Sequence, residues 1–457
     1  MKTYKISFAL LIIFSLFSCS EELEKINIDP NKISETSGEA LFNGMILANT
    51  AVQAGYLNFS SNVVSGYFVG DGRLSFIQEY QYPNTDSDTP WRNIYVGVVK
   101  QSRILRSGIP VANKDFFYGA SKVIEAHAIG TAASIFGDVP YTEAANLEGT
   151  PPGYDNQIEI YNNLQSLLDE AILDLQNAKT TGGVNQDSYF NGNANSWIKT
   201  AYTLKARLFL ENRDYSNAIA AAQNGISRAS ESMKFRGTNL LNELKVSSTF
   251  SPDATVQNSY LIKLIGSGTS SRNNIKTNEV DRAAYYYNGN VINLNGIAAA
   301  NAPTSLITLE ENLLTWAEAL IRSNSSNFNT ALARLNEHRA NLRNGVYFPV
   351  SASVYDNYVE ADFLAGGIEN FDGALSKEDA LLREIIEERY ASFFVQIIAF
   401  NDLRRTKKDP ISIQVAIPFN TGTQHPERFL YPFDELNTNG ENVPNVTDIF
   451  VKTQVNQ

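Results

Sequence analysis

The stretch IEIYNNLQSLLDEAILDL, residues 158–175, decides the fold class. Tyr161, Leu164, Leu168, Ile172 and Leu175 recur at intervals of three and four, the stripe of an α-helix with one buried face. Asp155 and Glu159 stand where a helix's positive end favours negative charge.

Outward from this helix the same period dominates. A helix over about 116–135 places Ile124, Ala128, Thr131 and Ile135 on one stripe and stops at Phe136-Gly137-Asp138, with Pro140 forbidding continuation. Another, over about 378–405, carries Leu382, Ile386, Tyr390, Phe393, Ile397 and Phe400, an apolar surface wide enough to predict deep burial. Ala206, Tyr215, Ala218 and Ile219 share their spacing with Ala319, Phe328, Ala331 and Leu332, 113 residues further on. The spacing resembles the tetratricopeptide helix–turn–helix, in which alanines let two antiparallel helices approach and an aromatic fills the turn. Asn/Gly/Ser/Thr-rich stretches at 179–196, 266–279 and 288–304 read as surface loops between helical units, with Ser259 to Leu264 as a short strand candidate. The residues predict a mostly α chain of helical repeats broken by long polar insertions.

At the N-terminus, Lys2 and Lys5 precede an apolar run from Ile6 to Leu16 and the sequence Leu16-Phe17-Ser18-Cys19. The run is about half of the roughly 20 residues that span a bilayer, so it reads as a signal peptide, 1–18. Leu-x-Ser-Cys resembles the bacterial lipobox, which makes Cys19 the mature N-terminus and the site of acylation. Several acyl chains on one residue anchor a chain durably, whereas a single chain does not. Cys19 is the sole cysteine, so no disulfide framework is possible. Residues 19–36 form a polar, lipidated tether, and 37–457 the folded body. Losing Lys2 and Lys5 takes the formal net charge from −12 to −14, which argues against nucleic acid and leaves membrane attachment to the acyl chains.

No catalytic set is expected. His127, His338 and His425 are far apart with no metal-binding spacing, and no nucleophile elbow or phosphate loop occurs. Cofactor and metal are therefore expected to be absent. Glu310-Glu311 and Glu387-Glu388 cannot pair as glycosidase carboxylates, because adjacent helical residues point about 100° apart; they read as solvated or packing-edge charges. Arg404 and Arg405 read as complements of a helix C-terminus, paired with nearby carboxylates. Aromatics make up 11% of the chain, and binding sugars needs flat apolar faces beside amides or acids. Most of these rings belong to the core; Trp91, Trp197 and Trp316 read as packed ones. Tyr67, Phe76, Tyr80 and Tyr286, the last in the Tyr285-Tyr286-Tyr287 run of a polar loop region, are the candidates for ligand contact.

Several landmarks together resemble the SusD/RagB family of outer-membrane nutrient-binding lipoproteins, and its SusD-like branch most. They are Cys19 with Glu21 and Glu22, Trp91-Arg92-Asn93-Ile94-Tyr95, Phe136-Gly137-Asp138-Val139-Pro140-Tyr141 with Glu143-Ala144, Ala317-Glu318-Ala319, Glu388-Arg389-Tyr390, Phe400 to Thr406, and Pro426-Glu427-Arg428 with Tyr431-Pro432. Gln396 to Phe400 lacks the glycine or charge and the tryptophan often found there. The resemblance implies a mostly α fold, tetratricopeptide-like helix pairs forming a superhelical scaffold with long irregular loops on a ligand-binding face, in a surface-exposed protein that binds an oligosaccharide or peptide and passes it to a TonB-dependent, SusC-like transporter, with no reaction of its own. A lipid-anchored hydrolase and a purely structural surface lipoprotein are the other readings.

Overall fold

The computed structural model describes residues 37–146, 150–178, 182–236, 253–268 and 271–457. Cys19, the signal peptide and the tether lie outside the described residues.

The protein is mostly helical. The principal helices are α1 (Gly38–Ala54), α2 (Tyr56–Val64), α3 (Lys114–Phe136), α4 (Gln157–Asn177), α5 (Ala194–Glu211), α6 (Tyr215–Ala222), α7 (Val280–Tyr286), α8 (Leu309–Ser323), α9 (Phe328–Arg343), α10 (Lys377–Ser392) and α11 (Ile398–Arg405). The strands described are short antiparallel pairs, among them Met233–Phe235 with Thr304–Ile307 and Val69–Gly70 with Ala254–Thr255.

Local chemistry sets the helix ends. The Asn156 side chain caps α4 by accepting from the Ile158 N–H, Thr308 caps α8 by accepting from Glu311, and Ser376 caps α10 by accepting from Asp379. Gly137 ends α3 at φ +86°, a backbone that a side chain would strain. The α4 stripe read from the sequence is buried as expected. Its packing on α3 is close enough that a Cβ on Gly119 would lie 2.6 Å from Leu175.

The two segments 113 residues apart are the helix pairs α5–α6 and α8–α9, and they meet one another. Ala218 and Ala319 share a cluster with Leu210, and Trp316 packs over Ala206, Ala221 and Ala222. The small residues thus draw pair to pair as well as helix to helix. Trp197 and Trp91 are buried, whereas Trp316 is half-buried under the Arg334 guanidinium at 4.6 Å.

Four expectations need correction. The helix expected over 378–405 is two helices, because the chain breaks at Phe393–Ile397. Val395 sits there at φ +60°, rare for a β-branched residue. Two asparagines of α2 hold it: Asn58 Nδ2 donates to the Val395 carbonyl at 2.7 Å, and Asn62 Oδ1 accepts from its N–H at 2.9 Å. Ser259 to Leu264 is not a strand but the start of a short helix, Tyr260–Ile265, capped by the Ser259 hydroxyl. Tyr285 and Tyr286 lie in α7, not in a loop.

The fourth correction concerns charge. Glu311 and Glu388 are fully buried. Glu311 accepts from Arg207 Nη2 at 2.7 Å; Glu388 accepts from Arg272 and Arg282, each at 2.7 Å, and lies 3.0 Å from His338 Nε2. Arg272 also reaches Glu279 at 2.6 Å and Glu384. Burial opposes ionisation, yet Arg282 and Arg272 hold the Glu388 carboxyl well below its ordinary range, while burial prevails at Glu384 and raises it. A second knot gathers Arg322, Arg389 and Arg405 around Glu318. Arg405 therefore meets carboxylates, whereas buried Arg404 donates to the carbonyls of Ser134 at 2.7 Å and Glu427 at 3.0 Å. Burial lowers Arg404 to about 10.

Among the described residues no helix is long and apolar enough to cross a membrane.

Candidate ligand-binding face

After α11 the chain is mostly irregular, with one short α-helix at Phe433–Thr438, and wraps the helices. Glu427 and Arg428 both donate their N–H to the Ile449 carbonyl, and Phe429 donates to Ile135 at the end of α3. Two concavities flank this segment: Glu427 and Lys452 line one, Leu430 and Thr447 to Phe450 the other.

The first is a cavity of about 480 Å³, floored by Tyr390 and Leu403. Phe419 and Ile411 stand at its mouth, 48% and 87% exposed, apolar surface left in water. The His425 ring packs on Phe419 at 4.6 Å, and its Nε2 lies 3.2 Å from the Pro418 carbonyl, which selects the tautomer with the proton on Nε2. Burial, helped by Lys407, lowers His425 to about 4, so the ring is neutral at neutral pH. Lys407 Nζ donates to Glu427 Oε1 at 2.9 Å, and burial lowers its pKa despite that partner. Gln414, Gln424 and Thr423 supply amides and a hydroxyl to the lining.

The second concavity is open and shallow, about 610 Å³, and lined by Phe76, Tyr80, Tyr82 and Phe450 with Gln81 and Asp448. Tyr80 crosses Phe450 edge-on at 6.2 Å, and its hydroxyl accepts from the Asn420 N–H at 2.9 Å, beside Phe419 of the first cavity. Tyr80 also has φ +59°, an unfavourable backbone for a tyrosine. Aromatic walls with amide and carboxylate groups nearby suit a ligand carrying both C–H faces and hydroxyls.

The structure thus brings Phe76 and Tyr80 together and places the other two candidates elsewhere. Tyr67 is fully buried, stacked on Tyr390 at 4.3 Å with its hydroxyl donating to the Tyr390 carbonyl; it has no open face and belongs to the core. Tyr286 is 4% exposed, donates to the Ala391 carbonyl at 3.0 Å, and borders a separate, smaller cavity. Sequence reading missed Phe419, His425 and Phe450, which come together only through the irregular C-terminal path. The one signal present was a proline-punctuated stretch without helical period after Pro410.

His127 and His338 are buried within helices, His127 beside Asn49 and His338 on Glu388. His425 hydrogen-bonds a backbone carbonyl rather than a hydroxyl or carboxylate. Among the described residues no group of three or more His, Cys, Asp or Glu is placed to hold a metal ion.

A family model described as SusD-like, starch-binding and associating with the outer membrane, matches residues 30–432. No curated protein matches the chain in sequence. Among solved structures, a chitin-binding SusD homologue from Flavobacterium johnsoniae is 17% identical with a TM-score of 0.67, covering 91% of this chain and 98% of its own. A SusD homologue from Bacteroides fragilis is 15% identical, TM-score 0.67, covering 92% and 100%. A SusD/RagB family protein from Bacteroides thetaiotaomicron is 20% identical, TM-score 0.63, covering 89% and 95%. At these identities the likeness is one of fold.

Proposed function

The chain belongs to the SusD-like family of starch-binding proteins associating with the outer membrane, and from that premise we propose that it captures a glycan oligomer on its C-terminal face without cleaving it. The observation that carries this reading is the open concavity of Phe76, Tyr80, Tyr82 and Phe450 beside the deeper cavity of Phe419 and His425. Sugar rings lie against the aromatic walls and hydroxyls meet Gln81, Asp448, Gln414 and Gln424. The chitin-binding relative supports a glycan rather than a peptide. In this reading acyl chains on Cys19 anchor the body to the outer membrane at the cell surface, residues 20–36 give it reach, and the captured oligomer passes to a TonB-dependent, SusC-like transporter.

The test is calorimetric titration of residues 20–457 with chito-, malto- and other oligosaccharide series, alongside product analysis by chromatography. Binding without product after prolonged incubation is expected. Released product turns the reading into the hydrolase alternative, and absence of binding throughout overturns glycan capture. Cys19→Ala is expected to leave the outer-membrane fraction; retention there refutes the lipid anchor. Gentle detergent extraction of the native protein is expected to bring a large barrel protein with it, and recovery alone counts against the transporter.

A further inference from the structure

A smaller cavity of about 160 Å³ lies away from the C-terminal face, where Met233–Phe235 pairs with Thr304–Ile307 and α8 begins. Its floor is apolar: Tyr286, Phe348 and Phe394 are all buried, and the strained Val395 backs them. Lys234, on the strand, and Glu310, in the first turn of α8, also line it, and both are partly exposed.

Among the described residues, the two charges face one cavity with no partner of opposite sign in contact. Glu311, the next residue along, meets Arg207 directly, as Glu318 meets Arg405 and Glu388 meets Arg282. Glu310 and Lys234 form no ion pair among the described residues, although Lys234 acts on Glu310 through space. Burial raises the Glu310 carboxyl, opposed by Lys234, the more distant His338 and Arg282, and a hydrogen bond with Thr308. An acid and a base that share one small cavity without closing on each other leave both free to meet opposite charges on a ligand. A neutral sugar would leave them unmet, and Lys234 would repel a metal ion.

A molecule bearing an ammonium and a carboxylate on neighbouring atoms, with an apolar tail, answers all three features. We propose that this cavity binds a free α-amino acid with an apolar side chain, its ammonium on Glu310, its carboxylate on Lys234 and its side chain against Tyr286, Phe348 and Phe394. The site is independent of the glycan face.

The experiment is calorimetric titration of residues 20–457 with L-leucine, N-acetyl-L-leucine and L-leucinamide. L-leucine is expected to bind at least about ten-fold more tightly than either capped form, a difference of ~1.4 kcal/mol. Glu310→Gln is expected to bring L-leucine down to the affinity of its acetylated form, and Lys234→Met to that of its amide. No binding of millimolar L-leucine, or equal binding of the capped forms, overturns the proposal. Should either variant fail to fold, the capped-ligand comparison on the unaltered protein decides.

Discussion

Between α7, α9 and α10 the protein buries charge: Arg272, Arg282 and Arg339 lie among Glu279, Glu384 and Glu388, all under 9% exposed. The C-terminal face does the reverse, leaving Phe419 and Ile411 in solvent and a neutral histidine in a cavity wall. These guanidiniums are buried and face carboxylates of the same lattice, so the first region fixes helices and presents no open surface to a ligand. An apolar ring left in water gains by being covered, so the second region has binding energy in reserve.

The largest effect should follow from breaking the buried lattice. Glu388→Ala removes the carboxylate shared by Arg272 and Arg282 and leaves the two buried cations to Glu279 and Glu384. Loss of one partner of a buried ion pair costs about 3–5 kcal/mol, a large share of a typical stability of ~5–15 kcal/mol. Urea denaturation should show that fall or no folded protein. A loss below about 1 kcal/mol would show that these charges are not what holds α7 to α10.

That lattice also marks where sequence reading ran out. The helices were legible because burial of one face writes a period of three and four into neighbouring residues, as in α4. The pair-to-pair contact of Ala218 with Ala319 was half legible, as matching small residues. Glu388 was misread as a surface charge, because its partners Arg272 and Arg282 lie more than a hundred residues away in sequence and a helical glutamate looks the same dry or wet. The break at Val395 was invisible in a run apolar on both sides, and its cause sits on α2. Of the ligand candidates, Phe76 and Tyr80 line the open concavity, whereas Tyr67, from the same run of aromatics, is core. His425 and Phe419 left no local trace.

Protonation of His425 should give the next largest effect. Its folded pKa of about 4 lies below the ordinary 6.5, so neutral histidine stabilises the fold at pH above about 6.5. That contribution, on the order of 2 kcal/mol after allowance for solvent, declines as pH falls from about 6.5 towards 4. His425→Gln should flatten this part of the stability profile, measured by denaturant midpoints at stepped pH. An unchanged slope would mean that the ring is wetter than its packing on Phe419 implies.

The aromatic walls should give a smaller but selective effect. Phe76→Ala removes a half-buried ring from the open concavity and should weaken oligosaccharide binding by about 1 kcal/mol, roughly five-fold. Tyr67→Phe deletes only the hydroxyl bonded to Tyr390 and should cost about 1 kcal/mol of stability with affinity unchanged. If Tyr67→Phe weakens binding as much as Phe76→Ala does, the division between core and face drawn here fails.

The smallest effect belongs to the exposed ion pair of Arg73 with Asp253, which bridges the turn after Val69–Gly70 to the start of Ala254–Thr255. The arginine side chain is 80% exposed, so water and salt compete for both charges and the pair holds two flexible side chains for little return. Asp253 holds Arg73 above its ordinary pKa, but a fully charged group at neutral pH gains nothing further from that shift. Arg73→Ala should therefore leave the melting temperature unmoved at physiological salt, in contrast to Glu388→Ala. A measurable drop would mean that closing this turn, rather than the charge, is what the pair contributes, and Arg73→Gln, which keeps a hydrogen bond to Asp253 without the charge, should then restore it.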